Sequence, residues 1–278
     1  MRAFAVFGPS KSGKTTTVEC LLAALRKRGY SVATLKDIHG EGFEMDRPGT
    51  DTYRHREAGS YLVVARSPSE TDFILPRQLA FEEIFKAFQA FNAPDFVIVE
   101  GGREIWLPKI LCARAPEDVE AYIDGFTFCI SGVISGGLPG GESPTGPGME
   151  SYGMPGLPLI DARKEPEKLV ELIEAKVYDL LPHIEPGPAA QGCGACGMSC
   201  EELGKAILRG ERTRVDCRMA GTREVELTIG GRPIEMIPFV ERILKGTVIG
   251  LVSNLKGYKD GEDIEVRIRF WNSATHQR

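Results

Sequence analysis

The chain has 278 residues, more than one typical domain and enough for two. Charged residues make up 26% and hydrophobic ones 42%, the balance of globular protein, and a net charge of −5 argues against broad nucleic-acid binding. No apolar run is long enough to span a bilayer and the N-terminus leads straight into a strand, so a cytoplasmic protein without a membrane partner is expected.

Ala3 to Phe7 reads as a buried strand. It leads into Gly8-Pro9-Ser10-Lys11-Ser12-Gly13-Lys14-Thr15, which is G-x-x-x-x-G-K-T, a P-loop. Thr15 to Arg28 follows as a helix with Val18, Leu21, Leu22 and Leu25 on one face. The two glycines allow backbone shapes that a Cβ hinders, so the loop's N–H groups can converge on phosphate oxygens at the helix's positive end. Lys14 is expected to reach the β- and γ-phosphates, and the Thr15 hydroxyl to hold Mg²⁺. Gly8, Pro9, Ser10, Lys11, Ser12, Gly13, Lys14, Thr15 and Thr16 are the candidate nucleotide-binding residues.

Ser31 to Leu35 is the second strand, followed by polar residues up to Thr52 and a short helix over Thr52 to Ala58. Tyr61 to Ala65 and Phe73 to Leu75 read as strands, and Leu79 to Phe91 as an amphipathic helix. Phe96-Val97-Ile98-Val99 ends in Glu100. An acid at the carboxyl end of a strand beside the P-loop strand can hold Mg²⁺ or orient a water, so Glu100 is the candidate catalytic acid and second metal ligand. Lys109 to Ala113 and Thr127 to Ile134 complete the strand set. The alternation predicts an α/β fold with a mostly parallel sheet covered on both faces. Cys20, Cys112 and Cys129 read as small buried hydrophobes. The Gly- and Pro-rich stretch from Gly136 to Pro158 is either a lid or partner loop or a passive insertion. Leu157 to Ile160 resumes a strand, and Pro166 to Leu181 forms a helix. Residues 1–182 are thus expected as the P-loop domain, 183–190 as a proline-rich linker and 191–278 as a second domain.

Five segments together resemble the MobB family, P-loop GTPases that assist guanylylation of molybdopterin. They are the P-loop itself, Lys36-Asp37-Ile38-His39, Asp46 to Thr52 with its continuation Arg54 to Gly59, Val99-Glu100-Gly101-Gly102-Arg103, and Pro108-Lys109-Ile110. Asp37 stands where the family usually has histidine, and Gly102-Arg103 where it has an aromatic-lysine pair. The resemblance implies GTP with Mg²⁺ as ligands. It also implies an accessory role with weak GTPase activity beside a molybdopterin guanylyltransferase, molybdopterin cofactor as the second ligand, and a homodimer. No Asn-Lys-x-Asp guanine-reading motif is visible, so preference for GTP over ATP comes from the resemblance alone. Lys36, His39, Asp46, Asp51, Arg103 and Lys109 become candidate substrate contacts on the same basis. Read without it, His39 is a surface or capping residue and Asp46 a turn-former. Arg54, His55 and Arg56 either meet an anionic pterin phosphate or form a solvated helix face. A small-metabolite kinase, with Asp37 as base, and a nucleotide-gated redox or cluster carrier are the alternatives.

The second domain opens on Cys193, Cys196 and Cys200, with Cys217 following, a C-x2-C-x3-C-x16-C spacing. Four thiolates suit either a [4Fe-4S] cluster or Zn²⁺, and the tight run of three plus one remote Cys favours the cluster. The segment resembles the four-cysteine [4Fe-4S] domain of corrinoid iron–sulfur proteins and some redox subunits. A helix over Glu201 to Leu208 is expected to cover the site. A hairpin spans Val225 to Met236, a helix Phe239 to Leu255 and a strand Ile264 to Phe270, making a small α+β domain with a frayed tail, Trp271 to Arg278.

Overall fold

The computed structural model describes residues 1–40, 42–91, 93–136, 156–186, 196–219, 225, 227–230, 232–234, 238–259, 264–266 and 268. Two compact units divide the chain, Met1–Ala220 and Gly221–Arg278. In the first, the elements are β1 (Arg2–Phe7), α1 (Lys14–Lys27), β2 (Val32–Lys36), α2 (Asp51–Glu57), β3 (Val63–Arg66), β4 (Thr71–Ile74), α3 (Phe81–Ala90), β5 (Phe96–Glu100), β6 (Lys109–Cys112), α4 (Pro116–Tyr122), β7 (Thr127–Ser131), α5 (Pro166–Lys176) and α6 (Cys200–Leu208).

Five of the strands form one parallel sheet in the order β2-β5-β1-β6-β7, so the strand that feeds the P-loop is central. Its side chains alternate. Phe4 and Val6 pack with Leu21 and Leu25 of α1 and Leu169 and Ile173 of α5, while Ala3 and Ala5 face Phe85 of α3. Phe7 joins Leu111, Ile130 and Val119 of α4 in a third cluster. Burial on both faces explains why these strands read as continuous apolar runs. Each fully buried Phe or Leu contributes about 1.5–3 kcal/mol relative to exposure.

Several expectations are corrected. β3 and β4 pair antiparallel in a sheet of their own, turned by the Ser67 N–H donating to the Glu70 carbonyl, and add nothing to the parallel sheet. The strand expected over Thr127 to Ile134 ends at Ser131, because Gly132 at φ 88° turns the chain into a 3-10 segment over Val133–Gly136. The strand expected at Leu157 to Ile160 is a single parallel bridge between Ile130 and Leu159. The α4 helix adds an element beyond those the sequence pattern predicts, although Pro116 at its first turn with Glu117 and Asp118 behind it is a helix-start signal. Arg114 holds Asp118 with two guanidinium bonds of 2.7 and 2.8 Å, which keeps the carboxyl well below the usual range, at about 2.

The expected linker, residues 183–190, falls within the first unit, and so does α6. The physical reason is close packing. A Cβ on Gly204 of α6 would lie 2.6 Å from the Tyr178 hydroxyl and 2.9 Å from Phe126, so a larger residue would push those side chains aside. Cys200, Leu203 and Cys217 share an apolar cluster with Leu181, and the Arg214 guanidinium donates to the carbonyls of Asp179 and Leu180. Ser199 caps α6, its hydroxyl accepting from the Glu202 N–H while the Glu202 carboxylate accepts from the Ser199 N–H.

The second unit contains an antiparallel hairpin, β8 (Leu227–Ile229) with β9 (Arg232–Ile234), and the helix α7 (Pro238–Val252). Of the strand expected over Ile264 to Phe270, residues 264–266 and 268 carry no regular structure, and the rest lie outside the described residues with 271–278. Among the described residues no helix is long and apolar enough to cross a membrane.

Candidate functional site

The site is assembled at the carboxyl edge of the parallel sheet, where ligands of such folds bind. β1 ends at Phe7 and the P-loop wraps the start of α1, with positive φ at Gly8 (138°), Lys11 (61°) and Gly13 (92°). Gly8 lies so close to β6 that a Cβ there would meet the Cys112 carbonyl oxygen at 2.0 Å. Gly8→Ala is therefore expected to destabilise the fold by about 3 kcal/mol, from backbone strain and this clash. Urea unfolding with an unchanged midpoint would refute the close approach.

The Lys14 ammonium donates to the carbonyls of Gly8 (3.0 Å) and Pro9 (2.6 Å). The Thr15 hydroxyl donates to Glu100 Oε1 at 2.8 Å, and the Lys36 ammonium reaches the same oxygen at 2.9 Å. This grouping follows from register, since Lys36 pairs with Glu100 across β2 and β5, and Val6 with Glu100 across β1 and β5. Thr15 and Glu100 present two hard oxygen donors 2.8 Å apart, the ligand type that Mg²⁺ takes. Pro9, Ser10 and Thr16 lie in the same loop and first helical turn; Ser12 is buried beneath it, where its carbonyl accepts from the Val133 N–H at 3.1 Å.

Asp37 follows β2 and braces the turn after β5. Its Oδ2 accepts from the Gly102 N–H at 3.2 Å and lies 3.3 Å from His39 Nε2, whose side chain is 76% exposed. Asp46 is placed away from this group and shapes the turn before α2, accepting from the Arg47 N–H and the hydroxyls of Thr50 and Thr52. The Thr50 bond above all holds its carboxyl below the ordinary range. Asp51 is exposed in the first turn of α2, paired with Arg54 at 3.4 Å, and Arg56 is taken up by Glu44 at 2.8 Å. Arg103 lies over the Tyr122 ring and donates to the Ala121 carbonyl. Lys109 starts β6 and is buried, its ammonium held by Asp124 and by the Arg103 carbonyl, each at 2.6 Å. Burial lowers its pKa and Asp124 opposes that. The structure thus brings Lys14, Thr15, Lys36 and Glu100 together, with Asp37 and His39 at the flank.

A cavity of about 240 Å³ opens on the other side of the P-loop, lined by Gly13, Thr16 and Thr17, by Ser131 at the end of β7 and Gly132 after it, and by Asp161. Asp161 is 6% exposed. No motif in the sequence marks it; the one available signal is its position between the apolar Leu157 to Ile160 and the helix beginning at Pro166.

Of the clustered cysteines, Cys196, Cys200 and Cys217 all belong to the apolar cluster around Leu181 and Leu203, while Cys193 lies outside the described residues. Among the described residues no group of three or more His, Cys, Asp or Glu is gathered as a metal site.

Residues 3–128 match the model of a family described as MobB, Molybdopterin guanine dinucleotide synthesis protein B. This N-terminal region is similar to the MobB family. A Methanocaldococcus jannaschii relative described as "Putative molybdopterin-guanine dinucleotide biosynthesis adapter protein" is 29% identical over 96% of this chain and 97% of its own length. A Haemophilus influenzae "Molybdopterin-guanine dinucleotide biosynthesis adapter protein" is 32% identical over 39% of this chain and 61% of its own. A crystal structure of Bacillus subtilis MobB aligns with 63% of this chain and 97% of its own, at 24% identity and a TM-score of 0.49. The similarity to the first relative runs over 96% of this chain and so extends beyond residues 3–128.

Proposed function

We propose that this chain is an adapter in molybdopterin-guanine dinucleotide biosynthesis that binds GTP with Mg²⁺ at its P-loop and works beside a molybdopterin guanylyltransferase in the cytoplasm. The observation that carries the nucleotide reading is the convergence of Lys14, Thr15 and Glu100 at the N-terminus of α1. A helix N-terminus with its loop N–H groups attracts phosphate, and Lys14 has only two carbonyls to leave when a γ-phosphate arrives. Thr15 and Glu100 would hold Mg²⁺, which offsets charge on the phosphates. Lys36, 2.9 Å from Glu100 Oε1, holds that carboxylate in place. The adapter role follows the relatives' descriptions, and dimerisation follows the family resemblance. Calorimetric titration with GTP and Mg²⁺ tests the reading; absence of binding would refute it.

The same reading gives Glu100 a role in hydrolysis more than in affinity. Glu100→Gln keeps size and the Thr15 contact but removes the charge. Hydrolysis is expected to fall by about 10²-fold while the Kd for GTP changes only a few-fold. Equal losses in both would reduce Glu100 to a wall of the pocket.

The cysteine segment belongs to the proposal as a [4Fe-4S] site, with Zn²⁺ as the alternative. Cys196, Cys200 and Cys217 supply soft sulfur donors within one apolar cluster, and Cys193 would be the fourth.

A further inference from the structure

The sheet order separates the two ends of any nucleotide laid across the P-loop. β5, carrying Glu100, flanks β1 on one side, and β6 followed by β7 lies on the other. Phosphates gathered between Lys14, Thr15 and Glu100 therefore leave the base to point toward β7. The cavity lined by Thr16, Gly132 and Asp161 is on that side. Its wall is fixed to the P-loop, because the Val133 N–H donates to the Ser12 carbonyl and a Cβ on Gly132 would lie 2.2 Å from that oxygen.

Asp161 is the charged group buried at this cavity. Its Oδ1 accepts from the Arg163 N–H at 3.0 Å, which sets the plane of the carboxylate. Its other contacts are loose: Arg163 Nε to Oδ1 at 3.3 Å, Arg163 Nη2 to Oδ2 at 3.4 Å, and the Lys164 ammonium 3.9 Å from Oδ2. Charge-assisted N–H bonds to carboxylates normally measure about 2.7–2.9 Å. The Arg163 side chain is itself 57% exposed. A carboxylate so buried and so weakly bonded has room for a better fork of two donors. The Watson–Crick edge of guanine is such a fork, with N1–H and the 2-amino group side by side as in a guanidinium. Adenine presents an unprotonated N1 there, which a carboxylate repels.

We infer that the cavity beside Gly132 is a purine pocket in which Asp161 selects guanine, and that the Arg163 guanidinium stands where the guanine edge would bind. The inference rests on the nucleotide reading of the P-loop and supplies the base selectivity that no sequence motif announces. Guanine binding requires the Arg163 guanidinium to swing outward, and its exposure leaves it free to do so. The backbone bond that orients Asp161 survives that movement.

The test is equilibrium binding of GTP, ITP, XTP and ATP, each with Mg²⁺, to the full-length native protein and to Asp161→Asn. ITP lacks the 2-amino group and XTP carries a carbonyl in its place. Native protein is expected to bind GTP on the order of 10²-fold tighter than ATP and at least about tenfold tighter than ITP. Asp161→Asn is expected to lose that preference and to bind XTP better than GTP, since the Asn amide can donate to the xanthine carbonyl. A gain of XTP binding cannot come from misfolding. Equal binding of GTP and ATP by the native protein would overturn the pocket while leaving the P-loop in place, and so would a folded Asp161→Asn variant with unaltered preference. Failure of the native protein to bind any of the four would overturn the nucleotide reading and the pocket with it.

Discussion

Replacing Lys14 by alanine is expected to abolish measurable GTP binding. The triphosphate carries several negative charges, and within the described P-loop the Lys14 ammonium is the cation anchored on the loop's own backbone, at Gly8 and Pro9. Its release from two carbonyls costs little beside the contacts it would make with phosphate oxygens. Hydrogen bonds to charged groups are worth about 1.5–3 kcal/mol each, so loss of two or three amounts to about 10³-fold or more in Kd. Lys14 is half-buried in the first turn of α1, and alanine is a good helix former, so the variant is expected to fold. Circular dichroism and thermal unfolding check the fold, and calorimetry checks the binding. A folded Lys14→Ala protein with native affinity would remove the P-loop from the mechanism.

The second large effect is expected at the cysteines. Protein purified without oxygen is expected to be brown and to carry about four iron and four sulfide per chain. Cys217→Ser replaces a soft thiolate with a hard hydroxyl of similar size and is expected to lose most of that iron. Cys217 lies with Cys200 and Leu203 in the cluster around Leu181, so loss of the metal is also expected to loosen α6 from Tyr178 and Phe126 and lower Tm. That coupling differs from what two domains joined by a free linker would give. Cys112→Ala and Cys129→Ala serve as controls, because both thiols are fully buried in the parallel sheet, where burial pushes their pKa values up, Cys112 to about 11, and they are expected to leave iron content unchanged. Colourless anaerobic protein with one zinc per chain would replace the cluster with a structural metal, and protein without either would refute metal binding.

Much of the candidate nucleotide site is legible in the sequence because its signals are local. A strand, eight loop residues and a helix are contiguous, and the two glycines and Lys14 carry their chemistry in their spacing. Glu100 was legible as an acid ending an apolar strand. Its bond to Lys36 was not, since that depends on β2 lying next to β5, a pairing 64 positions apart that composition does not encode. Lys109 shows the opposite problem. A lysine is rarely buried, so Pro108-Lys109-Ile110 invites an exposed contact, whereas Asp124 and a main-chain carbonyl hold its ammonium inside the fold. Asp161 carries no signal in the sequence because an acid ahead of a helix is ordinary; its burial beside Gly132 exists only once β7 and the segment through Leu159 are aligned. The close approach of α6 to Tyr178 and Phe126 uses Gly204, which in sequence is merely a weak helix residue.

The position of β1 at the centre of the sheet sets a constraint on how the chain is made. It leaves the ribosome first, yet its neighbours are β5 and β6, and Arg2 pairs with Phe96. β2, the next strand to emerge, cannot serve in the interim, because the place between it and β1 belongs to β5. At about 5–20 residues per second, the nascent chain holds Phe4, Val6 and Phe7 without their flanking strands for roughly 5–20 s. Gly8 lies against the Cys112 carbonyl in the folded chain, so the P-loop gains its full set of neighbours only once β6 has been made. Slow synthesis at low temperature therefore lengthens the interval in which this apolar strand is open to chaperones and to aggregation.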